Sequence, residues 1–351
     1  MDRAEESTSP GELESALSRN GEEVLEVITR IATVARGEVQ KSAPSVESVF
    51  TGSNAEQLGK VSESLGKVYD ELSADAKMLA REPAIARLEV LDENDNRQTI
   101  YILRGAPVSG ADLPYMLASY RSPIGRLASL KVGDEEEIRR PRGSIWYLVD
   151  QRATIHPKED AAGWDSVGTV MQFLKFGTRT ISSLRAFLRS GIAQDEGTDI
   201  LDRLLEEGGT GGLVSDKVEK AIRGKMELRD QPILDRFQDE IFRLSIDSRI
   251  AVMGPPGTGK TTTLIKRLGL KLDLQFLDDD EKQCVRDSLA GLDGHRASWL
   301  MFTPTELLKQ YVKEAFAREG IPAPDARIQT WGDYRRDLAR NRLGILRRSS
   351  G

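Results

Sequence analysis

The sequence predicts a multidomain chain that combines α+β and α/β architecture. Three observations predict this fold class: apolar residues at helical spacing near the N-terminus, short strands separated by turns in the middle, and alternating helices and strands around a glycine-rich loop in the last third. A length of 351 residues is enough for two or three such domains.

Composition and charge narrow the class of protein. The net charge of −6 argues against nonspecific nucleic-acid affinity over the whole surface and leaves room for a local basic groove. Cys284 is the single cysteine, so no internal disulfide can form and a reducing compartment fits best. His156 and His295 stand far apart in the sequence, which argues against a metal site built from cysteine and histidine. No apolar run approaches the roughly 18 residues that span a bilayer, and the acidic N-terminus is no secretory signal, so we expect a cytoplasmic protein with no membrane partner.

The N-terminal region is predicted to be helical after a short tail. Residues 1–21 are polar and are expected to be disordered. Residues 22–82 are predicted to form a coiled-coil hairpin, because a helix over 22–36 is followed by turn formers and by a second helix over 55–81. The apolar residues of that second helix alternate in steps of three and four. Two helices of an ordinary small bundle are the alternative.

The middle of the chain is predicted to change from strands to helices. Residues 83–152 indicate a small β domain, with a hairpin of strands over 85–91 and 98–103 and two further strands near the Pro-Arg-Gly turn. Residues 153–230 are predicted to be mostly helical and to end in a linker rich in glycine and aspartate. Residues 231–351 show the helix and strand alternation of a parallel α/β sheet.

A glycine-rich loop carries the clearest chemistry. The run GPPGTGKT at 254–261 fits the pattern GxxxxGK[ST], between a predicted buried strand at 249–253 and a predicted helix at 262–270. Glycines let successive backbone N–H groups face phosphates, and the helix N-terminus adds a favourable dipole. We expect Lys260 to reach the β- and γ-phosphates and the Thr261 hydroxyl to ligate Mg²⁺, which are the two catalytic roles predicted here. The predicted nucleotide-binding residues of the loop are Gly254, Pro255, Pro256, Gly257, Thr258, Gly259, Lys260, Thr261 and Thr262.

Three further motifs make residues 233–340 resemble the start of the first motor domain of superfamily 1 helicases of the UvrD/Rep-like group, an incomplete RecA-like P-loop domain. Gln238, in RFQDEIFRL, lies sixteen residues before Gly254. It resembles the glutamine of the Q motif, which reads the adenine edge, and this resemblance implies ATP with Mg²⁺ rather than GTP. The alternative is a solvated glutamine on a helix.

The other two motifs resemble contacts to single-stranded nucleic acid. The strand 299–303, which enters PTELL, is similar to motif Ia, and this implies that Thr303 and Thr305 touch the sugar-phosphate backbone. Thr303 also forms a capping box with Glu306, and both roles can hold together. The strand 327–331 resembles the one that ends in a threonine–aromatic pair. Trp331 either stacks on a base or packs between strand and helix.

Other parts of the helicase pattern are missing. No acidic Walker B segment follows within 335–351, and no second motor domain is present. We therefore expect a truncated N-terminal part of a longer ATP hydrolase, which binds nucleotide weakly by itself and does not unwind DNA.

A second resemblance covers the β domain. The runs YRSPIGRL at 120–127 and KVGDE at 131–135 are similar to the C-terminal, FKBP-like domain of the GreA/GreB transcript-cleavage factors. Physically, Ser122-Pro123 is expected to start a short helix and Gly133-Asp134 to form a turn. The resemblance implies docking on RNA polymerase through residues 22–152. At the tip of the predicted hairpin, Glu47 and Glu56 do not match the spacing of the metal-binding acids, which argues against transcript cleavage.

These patterns together favour a GreA/GreB-like docking module joined to a UvrD-like motor that acts near stalled transcription complexes. Its expected partners are single-stranded nucleic acid, with DNA favoured over RNA, and RNA polymerase. One alternative is the motor of a repair or defence system, whose β domain is a generic protein-interaction module. Another is a nucleotide-binding regulator without motor activity.

Overall fold

The computed structural model describes residues 10–41, 74–140, 143–190 and 233–345. The chain divides into two compact units, an N-terminal unit of residues 1–235 and a C-terminal unit of residues 236–351. Within the described ranges, no helix is both long enough and apolar enough to cross a membrane.

A single long helix, α1 (Pro10–Lys41), begins the N-terminal unit. The disordered tail predicted for residues 1–21 is therefore wrong for residues 10–21. Ala16 and Leu17 are buried there and extend the apolar stripe of the helix backwards. Their burial offsets the entropy of ordering a segment whose composition alone is polar.

The apolar stripe of α1 packs on a β-sheet. Val24, Ile28 and Ile31 are fully buried in a core that also contains Leu103 and Phe173 from the strands. The coiled-coil hairpin predicted for 22–82 is therefore corrected. The apolar stripe of α1, which the prediction packed against a second helix, packs against the sheet. Residues 42–73, which hold the predicted tip and most of the predicted second helix, lie outside the described residues. Residues 74–79 of that helix form α2.

The predicted β-hairpin is confirmed. Its strands pair antiparallel around a turn in which the Asp92 carboxylate accepts hydrogen bonds from the backbone N–H groups of Asn94 (2.8 Å) and Asn96 (2.9 Å). A third strand pairs parallel to the second, and two more follow. These strands are β1 (Ala86–Asp92), β2 (Arg97–Leu103), β3 (Met116–Ser119), β4 (Glu135–Arg140) and β5 (Gly143–Thr154).

The sheet continues beyond the predicted end of the β domain at residue 152. β5 runs to Thr154 and pairs with a later strand, so the predicted boundary falls inside a strand. The helical prediction for 153–230 is wrong over 153–183. There Thr169, Met171 and Phe173 are buried at the period of two that a strand requires.

The remaining elements of the N-terminal unit are β6 (Pro157–Asp160), β7 (Gly163–Phe173), β8 (Gly177–Ser183) and α3 (Leu184–Ser190). The predicted linker lies outside the described residues. The order of the sheet is β3-β2-β1-β5-β7-β6, with β4 paired to β5 and β8 to β7.

A buried polar cluster fixes α1 on the sheet. Glu23 of α1 accepts a hydrogen bond from Arg87 Nε (2.8 Å) and one from the Tyr101 hydroxyl (2.8 Å). The Arg87 side chain also pairs with Glu89 (3.3 Å), and Arg87 is only 3% exposed. Burial, and next the charge of Glu23, raise the pKa of Tyr101 above its ordinary value. Its hydroxyl therefore stays a donor at neutral pH.

The SPIGR run folds as a tight 3₁₀ turn, Pro123–Ser129, as its Ser-Pro start predicted. The Ser122 hydroxyl donates to Ser119 O (2.7 Å) and accepts from Gly125 N (3.3 Å), which caps the turn. Arg152 of β5 donates to the carbonyls of Ala128 (3.1 Å) and Leu130 (2.7 Å) at the other end. The Gly133-Asp134 turn is also confirmed, with Gly133 at φ 91°.

Gly125→Ala is expected to destabilise the N-terminal unit. A Cβ at Gly125 would lie 2.5 Å from Ser119 O and 2.6 Å from Tyr120 O, and both are backbone atoms with little freedom to move. We expect a loss of about 1–3 kcal/mol, measured by urea denaturation followed by circular dichroism. Gly37→Ala is the matched control. A Cβ there meets nothing within 4 Å, and the exchange within α1 should stabilise the protein by about 0.5–1 kcal/mol. Equal effects of the two substitutions would contradict the close packing at Gly125.

The C-terminal unit is an α/β unit around two short parallel strands. Its main elements are α4 (Arg236–Arg243), α5 (Lys260–Leu272), α6 (Asp279–Asp287), β9 (Met301–Thr303), α7 (Glu306–Arg318), β10 (Ile328–Thr330) and α8 (Trp331–Asp337). Short helical turns occupy Leu274–Phe276, Gly291–Gly294 and His295–Ala297, and a π-helical turn, Leu338–Arg342, follows α8. β9 and β10 pair in parallel with Thr303 opposite Thr330. The stacked rings of Trp299 and Phe316 are part of the core between strands and helices.

The strand predicted over 249–253 is not formed. These residues form neither helix nor strand and pair with no strand among the described residues, and Met253 is 91% exposed. A parallel strand is stable when strands and helices cover it, and the three-residue ladder of β9 and β10 does not reach this run. The following helix is confirmed and begins at Lys260. Within this helix Leu264 is exposed, whereas Ile265 is buried.

Candidate functional site

The glycine-rich loop adopts a backbone that depends on its glycines. Gly257 and Gly259 have φ values of 82° and 73°, which side chains other than glycine rarely adopt. Gly259 occupies the N-cap position of α5, and its carbonyl accepts the first helical hydrogen bond, from Thr263 N at 2.8 Å. The loop therefore leads directly into the positive end of a 13-residue helix.

The Lys260 side chain contacts the first residues of the loop. Its ammonium donates to Gly254 O (2.9 Å) and Pro255 O (2.5 Å) and lies 3.5 Å from the Thr258 hydroxyl. That hydroxyl donates to Pro255 O (2.9 Å). A phosphate is a stronger acceptor for an ammonium than a neutral carbonyl is. The loop thus holds the lysine close to the place where a phosphate would take over its hydrogen bonds.

Gln238 reaches the loop from α4. Its Nε2 donates to Thr258 O at 3.2 Å, and a Cβ at Gly259 would lie only 2.7 Å from that nitrogen. The alternative of a merely solvated glutamine therefore fails, because the side chain touches the loop across twenty residues of sequence. The adjacency fits the Q-motif resemblance, and the adenine itself stays a prediction.

The remaining loop residues offer little to a metal ion by themselves. Thr261 is exposed on the first turn of α5, followed by the half-buried Thr262, and Pro255 and Pro256 form the exposed outer side of the loop. No group of three or more His, Cys, Asp or Glu side chains among the described residues could hold a metal ion. The Thr261 hydroxyl, a hard oxygen ligand beside the lysine, suits a Mg²⁺ ion that arrives on the phosphates. The run 254–262 itself contains no carboxylate.

The predicted nucleic-acid residues meet at the carboxyl ends of β9 and β10. Thr303 is buried, and its hydroxyl donates to Thr305 O at 3.2 Å. The capping box predicted for Thr303 and Glu306 is wrong. The N-cap of α7 is Thr305, whose hydroxyl accepts from Leu308 N at 3.2 Å, and Pro304 precedes the cap.

Three aromatic rings cluster at the same edge. The Trp331 ring lies 5.3 Å from that of Phe302 and 6.0 Å from that of Tyr334, and the latter two are 4.8 Å apart. Trp331 packs on Phe302 and is still 54% exposed, and its stacking on a base stays a prediction. Sequence reasoning missed Phe302 and Tyr334. Tyr334 follows Trp331 by three residues on a helix, and that spacing could have revealed the contact.

No protein-family model matches the chain, and no curated protein matches it either. Among solved structures, the GreA factor homolog 1 protein of Thermus thermophilus matches part of the chain. The identity is 19%, the match covers 38% of this chain and 91% of that chain, and the TM-score is 0.14. A likeness at this TM-score supports no function for either unit. None of these comparisons supports the helicase resemblance of residues 233–340.

Proposed function

We propose that this protein binds ATP with Mg²⁺ at the loop 254–262 and docks on RNA polymerase through its GreA/GreB-like N-terminal unit. The observation that carries the first part is the meeting of Lys260 and Gln238 at one loop. A cation for the phosphates and an amide for the base then contact the same loop, just before a helix N-terminus. That is the arrangement a nucleoside triphosphate needs.

The amide of Gln238 supports adenine over guanine. A carboxamide presents one donor and one acceptor, which match the N7 and N6 positions of adenine. At the corresponding positions guanine offers two acceptors, so one of the two hydrogen bonds is lost. The selection of ATP over GTP follows from this difference.

The aromatic edge, formed by Phe302, Trp331 and Tyr334, supports the proposal of a second ligand, single-stranded nucleic acid, with DNA preferred. Trp331 presents an exposed ring at the carboxyl ends of the strands, beside Phe302 and next to the capped N-terminus of α7 at Thr305. Exposed rings stack on bases of any sequence, and a helix N-terminus suits a backbone phosphate. The same edge carries Thr303, whose hydroxyl is already bound to Thr305 O and is a positioning group rather than a free contact.

The GreA/GreB-like part of the proposal rests on the fold of the SPIGR and VGDE runs. Both runs form turns, around Gly125 and Gly133, as their Ser-Pro and Gly-Asp pairs predicted. The spacing of Glu47 and Glu56 in the sequence does not match the metal-binding acids of those factors, so docking is proposed here without transcript cleavage.

Lys260→Ala should weaken ATP binding by at least tenfold. Hydrogen bonds to charged groups contribute about 1.5–3 kcal/mol, and Lys260 is the only cation in the run 254–262. Isothermal titration calorimetry with MgATP measures the loss. Lys282→Ala is the control, because Lys282 lies on α6, outside the loop, and its ion pair with Asp279 is at the distance limit, 4.0 Å. Unchanged affinity in Lys260→Ala would refute the assignment of the loop.

Trp331→Ala should weaken binding of an oligo-dT single strand by about 1–3 kcal/mol, the contribution of one stacked base. Fluorescence anisotropy of a labelled oligonucleotide measures the change. Trp146→Ala is the matched control, since Trp146 on β5 is exposed to a similar degree, 48%. If both variants bind as the unchanged protein does, the aromatic edge is not a base platform.

Core RNA polymerase should retain the full chain in a pull-down assay and should lose it when residues 10–190 are deleted. The deletion removes the whole described sheet, whereas a cut at residue 152 would split β5. The full-length Lys260→Ala variant should still bind polymerase, because its change lies in the other unit. Equal retention of the deleted protein would show that docking does not use the N-terminal unit.

A further inference from the structure

The helix that carries Gln238 is held at its C-terminal end by one side chain of the loop helix. Arg267 lies seven residues, about two helical turns, after Lys260 on α5 and is almost fully buried. Its Nη1 lies 3.3 Å from Ile241 O and 3.5 Å from Phe242 O. Its guanidinium also donates to Leu244 O and, through Nη2, to Ser245 O at 2.6 Å.

Ile241 and Phe242 are among the last four residues of α4, whose carbonyls have no intrahelical partners, and Leu244 and Ser245 directly follow the helix end. The last four carbonyls of a helix lack N–H donors, and a cation there also interacts favourably with the helix dipole. A planar guanidinium with five N–H donors can bind several such carbonyls together, whereas an ammonium cannot span them in one plane. Arg267 is therefore suited to fix both the end and the direction of α4.

The exit from α4 is fixed by a second contact, made to α6. Ile246 N donates to the Glu281 carboxylate at 2.8 Å, and Glu281 forms an ion pair with Lys271 of α5. Phe242 fills the space between the helices and is fully buried. Since α4 has only eight residues, a shift at its C-terminal end would move Gln238 as well.

We propose that Arg267 is a positioning residue for base selection: it sets α4 against α5 so that the Gln238 amide lies beside the loop at the adenine position. The inference rests on the proposed ATP site and goes beyond it, since Arg267 touches neither the phosphates nor the base. It makes the discrimination between bases depend on a side chain two turns away from the loop.

A positioning role and a merely structural role have different consequences. If Arg267 only stabilised the fold, its loss would weaken all ligands of the loop together. If it positions Gln238, its loss removes the preference for adenine and leaves the binding of phosphates by Lys260 and the loop intact. Inorganic tripolyphosphate, which has no base, separates the two.

The experiment measures the dissociation constants of MgATP, MgGTP and magnesium tripolyphosphate by calorimetry for the full chain. In Arg267→Gln, the preference for ATP over GTP should fall about tenfold, the value of one hydrogen bond to the base. Gln238→Ala should show the same loss, and the double variant should lose no more than either single one. Arg267→Lys should lose the preference in part, and Arg318→Gln, which removes an exposed pair with Glu314, should change nothing.

An unchanged preference for ATP in Arg267→Gln would overturn the inference, as would an equal loss of tripolyphosphate binding. If Arg267→Gln unfolds, Arg267→Lys carries the same comparison with the charge retained. Tripolyphosphate binding without base preference in the unchanged protein would overturn the role of Gln238 and this inference and leave the phosphate loop standing. The absence of any binding would overturn the proposed nucleotide site itself.

Discussion

The carboxylate of Glu23 is the contact on which the N-terminal unit depends. Apolar contacts between a helix and a sheet are non-directional, so the stripe of α1 alone would tolerate several rotations over the strands. The hydrogen bonds from Arg87 and Tyr101 to one carboxylate select a single rotation. A buried guanidinium that loses its partner costs about 3–5 kcal/mol, so the helix and the central strand β1 hold each other in place.

In the C-terminal unit a cation has the role that the Glu23 carboxylate has in the N-terminal unit. There a buried cation, Arg267, meets neutral carbonyls at a helix end, and the buried Lys266 pairs with Glu319. In each unit a charged side chain removed from water gives direction to a contact that apolar packing leaves free. The two units differ in what this order serves: in the first it places a helix over a sheet, and in the second it places an amide beside a loop.

Sequence reasoning succeeded where the determining contacts are local. The β1–β2 turn is made by Asp92 within its own loop, the SPIGR turn begins with a Ser-Pro cap, and α5 follows a glycine in the left-handed region. It failed where distant residues decide. Leu17 is buried in a core whose strand residues begin at Tyr101, 84 positions later. In β7 the buried positions include the polar Ser166 and Thr169, whereas Val167 is exposed, so the alternation of apolar residues does not show in the sequence. The run 249–253 is apolar enough for a strand, but it has no partner among the described strands. Within the site, Lys260 was predictable from spacing, whereas Arg267 emerges only when the ends of α4 and α5 are seen together.

The length of β5 has a consequence for how the N-terminal unit opens. Its first half pairs with β4, its second half with β7, and β1 follows it along both. No line across the sheet therefore separates the part that resembles a known domain from the strands that follow it. Partial unfolding that spares one side would have to break a continuous strand in its middle, so the two sides form one cooperative unit. The proposed polymerase-docking surface, if it lies on one side of β5, would for that reason be stabilised by the strands on the other side.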